Sequence, residues 1–160
     1  MNEIIYKQIG VICSPFKDIK GMPIQPTGAK GIVGTVEMEP EYVDGLKDVE
    51  GFSHIVLIYH FHLSKGYSLE VMPFMDDRLH GVFATRAPRR PNPIGISIVK
   101  LIKIEGHTLH VEGLDIVDGT PLLDIKPCVP EFDVIKVERT GWLSKRADKV
   151  HEVKADERFK

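Results

Sequence analysis

His80-Gly81-Val82-Phe83-Ala84-Thr85-Arg86-Ala87-Pro88-Arg89-Arg90-Pro91-Asn92-Pro93-Ile94-Gly95-Ile96-Ser97-Ile98-Val99-Lys100-Leu101 is the stretch from which the rest of the chain is read. Val82 to Thr85 is short, apolar and β-prone, which predicts a strand. Ile94 to Leu101 carries Ile94, Ile96, Ile98 and Val99 and predicts a second. Between them, each proline fixes its own φ and keeps the preceding residue out of the α region. Arg90-Pro91 and Asn92-Pro93 therefore hold a stiff, extended linker. Crowding Arg86, Arg89 and Arg90 onto it costs like-charge repulsion, which an anionic ligand would relieve. A solvated turn with snorkelling arginines, or pairing of Arg89 and Arg90 with Asp76 and Asp77, stays open on these residues alone.

Outward from this stretch the pattern is of short strands and Gly/Pro turns. Ile4 to Ser14 reads as a strand, stopped by Pro15. Asp18 to Gly34 is a long loop whose Gly28, Gly31 and Gly34 lack the strand and helix that a phosphate cradle needs. Ile32 to Met38 alternates as a strand. Glu41 to Glu50 reads as a helix: Pro40 suits its first turn, Val43, Leu46 and Val49 form a stripe, and Gly51 ends it. His54 to Leu63 is a buried strand, and Lys65 to Leu79 a loop. Ile102 to His110 forms a hairpin on Glu105-Gly106-His107, continued by Val111 to Leu114. Asp118-Gly119-Thr120-Pro121 is a turn, and Leu122 to Ile125 a last strand.

This pattern predicts a mainly β protein, a mixed β-barrel with one or two short helices and a C-terminal helical tail. The lack of βαβ alternation and of a Gly-x-Gly-x-x-Gly after a strand argues against a Rossmann-type methyltransferase. Residues 1–138 make the barrel domain and 139–160 the tail. Ala147, Val150 and Val153 give an amphipathic stripe over Gly141 to Lys160.

A net charge of −2 excludes a broadly basic nucleic-acid coat, so RNA contact must come from a local patch. Two cysteines, Cys13 and Cys128, are too few for a disulfide scaffold and have no low-pKa setting. No apolar run spans a membrane, and the first residues lack a signal-peptide layout, so the expected compartment is the cytoplasm. His60-x-His62 on a strand would share a face and suits zinc, but no third ligand completes a set, so no metal is assigned. Gly95-Ile96-Ser97 lacks the second glycine of a nucleophile elbow. Asp115, Asp118, Asp124 and Asp133 sit at turns and strand ends, where capping is the ordinary role.

The run from Gly81 to Ser97 resembles the signature of the TrmO family, also called TsaA-like or YaeB-like proteins. Leu114-Asp115-Ile116-Val117-Asp118-Gly119-Thr120-Pro121 with Asp124-Ile125-Lys126-Pro127 is similar to its second signature. Ile9 to Ile12, Ser14 to Lys17 and Pro23 to Pro26 resemble its opening. The likeness implies a dimerising β-barrel, an S-adenosyl-L-methionine-dependent methyltransferase acting on N6 of threonylcarbamoyl-adenosine at tRNA position 37. It implies cofactor contacts at Gln25, Pro26, Thr27, Phe61, His62, Arg86, Ile96, Leu114 and Asp115. RNA contacts fall at Arg89, Arg90 and Lys126, and catalytic roles at Asn92 and Asp124. Asn92-Pro93 is also weakly similar to the Asn/Asp-Pro-Pro-aromatic element of unrelated N6-adenine methyltransferases. Two departures stand out: Cys128 where the family usually has Tyr, and a tail where bacterial relatives carry a further domain. The rival readings are a non-catalytic cofactor- and RNA-binding barrel and a metal-dependent hydrolase using His60 and His62.

Overall fold

A computed structural model of the chain describes residues 1–146 and 152–159. Its strands are β1 (Gly10–Cys13), β2 (Val33–Met38), β3 (His54–His60), β4 (Glu70–Val71), β5 (His80–Gly81), β6 (Ile94–Glu105), β7 (Thr108–Glu112) and β8 (Thr120–Pro127). Six of them close into an antiparallel barrel in the order β1-β2-β7-β6-β3-β8, and β4 pairs with β5 in a separate ribbon. Closure leaves none of the six as an open edge.

Strand alternation decides what faces inward. In β6, Gly95, Ser97, Val99 and Leu101 are buried, while Ile94, Ile96 and Ile98 face out. In β3, Ile55, Leu57 and Tyr59 point inward against them. Gly106, at φ 62°, makes the tight turn between β6 and β7, as the Glu105-Gly106-His107 signal predicts. A register shift in the β3–β8 ladder between Ile58 and Tyr59 places Leu122 beside Tyr59 and Asp124 beside Ile58. One end of the barrel is packed by Leu46, with Tyr42, Val43 and Val49 around it.

Several local expectations change. Val82–Ala84 is a 3-10 turn, not a strand. The Thr85 hydroxyl donates to the Val82 carbonyl at 2.8 Å and accepts the Ala87 N–H at 3.2 Å, so local bonds take the place of a ladder. The helix expected over Glu41 to Glu50 is two 3-10 turns, Pro40–Leu46 and Val49–Gly51, separated at Asp48, whose φ is 69°. The first strand starts only at Gly10, and the loop over Lys65 to Leu79 contains β4. β3 ends at His60, so His62 lies in the following turn and does not share a strand face with it. Among the described residues no group of three or more His, Cys, Asp or Glu side chains could hold a metal ion. No described helix is long and apolar enough to cross a membrane.

Of the stripe expected in the tail, Ala147 and Val150 lie outside the described residues. The described parts hold a 3-10 turn at Gly141–Leu143 and an extended segment bridged to Pro23 through Lys154. A short helix, α1 (Pro130–Asp133), follows β8.

A Cβ on Gly95 would run into the Tyr59 ring and crowd Phe61. Gly95→Ala should therefore cost about 1–3 kcal/mol, the usual penalty for overpacking. Urea denaturation measures it, and an unchanged midpoint would show that the ring moves aside freely.

Candidate functional site

At the barrel end where β3 stops and β6 begins, a cavity of about 230 Å3 opens. It is built by the loop at 19–25, Tyr59 to Ser64, Phe74, the Arg/Pro linker with the start of β6, the turn at 115–120, and the tail. Its walls are largely apolar, from Met22, Phe61, Ile116, Phe74, Ala155 and Phe159. The polar side chains on it are Gln25, Tyr59, His62, Ser64, Arg86, Arg90, Asp115 and Thr120.

A buried chain of hydroxyls leads to the carboxylate. The Ser97 hydroxyl donates to Asp115 Oδ1 at 2.6 Å. Its single proton is thereby committed, so at 3.0 Å it accepts from the Tyr59 hydroxyl. Burial raises the Asp115 carboxyl from an ordinary 3.8 to about 6, with the Ser97 bond and the Arg86 charge pulling the other way. Burial and then the Asp115 charge hold the Tyr59 phenol well above its ordinary value, so it stays a neutral donor. Arg86 is exposed on the cavity rim, and its Nη1 donates to Gln25 Oε1 at 2.9 Å.

The Thr120 hydroxyl donates to the Val117 carbonyl at 2.6 Å and lies 3.3 Å from His62 Nδ1. Nδ1 must then carry the proton, which leaves Nε2 as an acceptor. Desolvation, then the neighbouring His60, lowers the His62 pKa and favours this neutral ring.

Backbone ties fix these groups in place. Ser14 donates its N–H to Asp118 Oδ1 at 2.9 Å and its hydroxyl to the Ile116 carbonyl. Lys17 pairs with Asp118 and, with the Ser14 N–H, holds its carboxyl below the ordinary range. Arg90 Nη1 donates to the carbonyls of Thr85 and Ala87 at 3.1 and 3.0 Å, bracing the linker. The tail is tied as firmly. Ala155 exchanges backbone bonds with Gly21 and Met22 at 2.7 and 2.8 Å, and Phe159 meets Phe74 edge to face at 5.1 Å. Nearer the barrel, Asp76 accepts from His80 Nε2 at 2.8 Å and from Arg146 at 2.6 Å. These partners, with the Asp77 N–H, hold its carboxyl far below the ordinary range. His80 stacks on Trp142 at 4.6 Å, and Trp142 Nε1 donates to the Ala84 carbonyl at 2.8 Å.

The structure brings Gln25, Phe61, His62, Arg86, Ile96, Asp115 and Arg90 together on the cavity wall. It does not bring the others there. Leu114 is fully buried in the barrel core. Thr27 is exposed in the turn Pro26–Ala29, and the side chain of Pro26 lies outside the description. Asn92 is exposed on the linker, its carbonyl accepting the Ile94 N–H. The β3–β8 register shift pairs Asp124 with Ile58, an outward position, where it forms an ion pair with Lys126 at 2.8 Å. Arg89 is half-buried on the linker.

Sequence reasoning missed Tyr59, Ser97 and Thr120 as members of the site, and the tail as its wall. Ser97 carried only the alternation of β6 as a signal, because its inward phase is set by pairing with β3.

Residues 11–134 match a family model described as the tRNA-methyltransferase O N-terminal domain. A probable S-adenosyl-L-methionine-binding protein of Pyrococcus abyssi is 58% identical over 156 residues, 98% of this chain and 85% of that one. The tRNA (adenine(37)-N6)-methyltransferase of Escherichia coli is 39% identical over 140 residues, 81% of this chain but 60% of that enzyme. The crystal structure of TrmO from Pseudomonas aeruginosa superposes with a TM-score of 0.75 at 39% identity, covering 88% of this chain and 62% of that one.

The raised Asp115 pKa fixes the sign of a pH effect. Stability from this group is full below its unfolded value near 3.8 and is lost as pH rises through about 6. Asp115→Asn should therefore stabilise the ligand-free protein by about 2–3 kcal/mol at pH 8 and by almost nothing at pH 4. Urea titrations at the two pH values read the difference. Equal gains at both would show that ionisation is not the cause.

Proposed function

Because this chain belongs to the family of the tRNA-methyltransferase O N-terminal domain, we propose that it is an S-adenosyl-L-methionine-dependent tRNA methyltransferase. The finer reading is transfer to N6 of threonylcarbamoyl-adenosine at position 37. The observation that carries the reading is the charge layout of the cavity: a guanidinium, Arg86, and a half-buried carboxylate, Asp115, on the wall of one apolar pocket. The cofactor has the matching pattern, a carboxylate at one end and cationic ammonium and sulfonium groups beside it. Arg86 suits the carboxylate through paired guanidinium donors. Asp115 suits a cation, whose approach would keep it ionised at neutral pH. Tyr59 and Ser97 hold that carboxylate in one orientation. Phe61 and the apolar walls exclude water and offer ring faces to an adenine.

The bound cofactor supplies an activated methyl group, so the protein's task is alignment and proton handling. The N6 nitrogen must lose a proton. His62, neutral and with Nε2 free to accept, is the group on the cavity wall suited to take it. A tRNA substrate is consistent with a cytoplasmic location. Of the outward isoleucines of β6, Ile94 and Ile96 border the cavity, while Ile98 and Ile102 beyond it, exposed by 43 and 50%, support association into a homodimer through the β3–β6 face.

The test is isotope transfer from labelled cofactor to purified tRNA carrying the threonylcarbamoyl group, followed by mass spectrometry of the nucleosides. Methylated threonylcarbamoyl-adenosine is the expected product. Equal methylation of tRNA lacking that group removes the finer reading, and no transfer to any tRNA removes the activity. Arg86→Ala should weaken cofactor binding by about 1.5–3 kcal/mol, with Arg86→Lys recovering only part because an ammonium cannot pair bidentately. Calorimetry decides it, and unchanged affinity would remove Arg86 from the cofactor site.

A further inference from the structure

Beside the cavity lies a second hollow, about 490 Å3, which shares Gln25, Arg86 and Phe159 with it. Its remaining wall includes Phe83, Ala84, Thr85 and Trp142. Phe83 is 74% exposed, although Val82 and Ala87 around it are buried. Large exposed aromatics on a rigid turn need a reason, because folding gains little from them. The turn is rigid on three counts: the Thr85 N–H and hydroxyl both donate to the Val82 carbonyl, and Trp142 Nε1 donates to the Ala84 carbonyl. Phe83 is thus presented outward on a fixed backbone, and a partner would not have to order it on binding.

Cations predominate around it, with Asp76, which is paired with Arg146, as the acid beside Trp142. Residues 83–90 carry Arg86, Arg89 and Arg90 and no acid; residues 139–146, which bring in Trp142, carry Arg139, Lys145 and Arg146 and no acid. The chain as a whole is at −2, so this is a local reversal. An exposed aromatic face framed by cations is the chemistry that holds single-stranded nucleic acid, with bases stacked and phosphates drawn by charge.

We propose that the hollow at Phe83 seats the base of a nucleotide adjacent to the methylated adenosine, stacked on the Phe83 ring. This rests on the tRNA-methyltransferase reading and adds to it a second subsite that grips the strand. The two hollows share a wall, which suits two consecutive nucleotides: one presented at the mouth of the cavity, the next turned onto Phe83. Stacking tolerates any base, so the subsite would add affinity without reading sequence.

The test uses the full chain and threonylcarbamoyl-bearing tRNA. In filter binding, Phe83→Ala should weaken tRNA affinity roughly tenfold or more, the effect of losing one stacked base. Phe83→Tyr should retain it. Cofactor affinity by calorimetry and the salt dependence of tRNA binding should both stay as in the wild type, since no charge is removed. An abasic site at the correct neighbouring position should weaken the wild type and add nothing to Phe83→Ala. The proposal is overturned if Phe83→Ala binds tRNA as tightly as the wild type. It is equally overturned if the variant loses cofactor affinity, which would make the hollow part of the cofactor site, or changes from dimer to monomer on sedimentation, which would make it a protein contact. A wild type that binds no tRNA removes the functional reading along with the subsite, whereas tight binding indifferent to Phe83 removes the subsite alone.

Discussion

Closing a sheet into a barrel satisfies every strand edge but leaves two ends to be dealt with. Here the ends are treated oppositely. After β2, the turns Pro40–Leu46 and Val49–Gly51 bring Leu46 onto the core and close one end with apolar contacts. At the other end the inward positions of β3 and β6 change from apolar residues to Tyr59, Gly95 and Ser97. A glycine there lets the tyrosine ring lie flat against β6, and the serine takes its hydroxyl. The site exists because the barrel is left unfilled at that end and finished with hydrogen bonds.

The same arrangement controls the electrostatics. Asp115 is a carboxylate with few donors in an apolar wall, and its environment opposes ionisation. Ser97 supplies one bond and Arg86 a distant charge, which is less than the group needs. Under the proposed function, a cation arriving in the cavity would complete what the protein withholds, and binding energy would be concentrated on a ligand with charge in the right place.

Much of this was legible in the residues. The Pro/Arg linker announced itself through fixed φ values, the alternation of β6 through its isoleucines, and the β6–β7 hairpin through Gly106. The alternation was legible but its phase was not: Ile94, Ile96 and Ile98 face outward because Gly95, Ser97 and Val99 do not, and only pairing with β3 decides that. Val82 to Thr85 looked like a strand, since no propensity scale registers a threonine hydroxyl competing for a carbonyl three residues back. Asp124 lay within a motif yet belongs to the outer face, because a register shift is invisible in one strand taken alone. The tail had no readable link to the cavity, as its contacts with Gly21, Met22 and Phe74 cross more than a hundred residues or nearly so.

The docking of Trp142 has a spectroscopic consequence. It is the chain's single tryptophan, and outside the barrel it stacks on His80 of β5 and bonds to Ala84 of the turn at 82–84. Its emission therefore reports whether the start of the tail, an arm laid against that turn, is seated, while far-ultraviolet dichroism reports the strands. Melting curves followed by the two probes need not coincide, and any gap between them would measure an arm that leaves its place before the barrel opens.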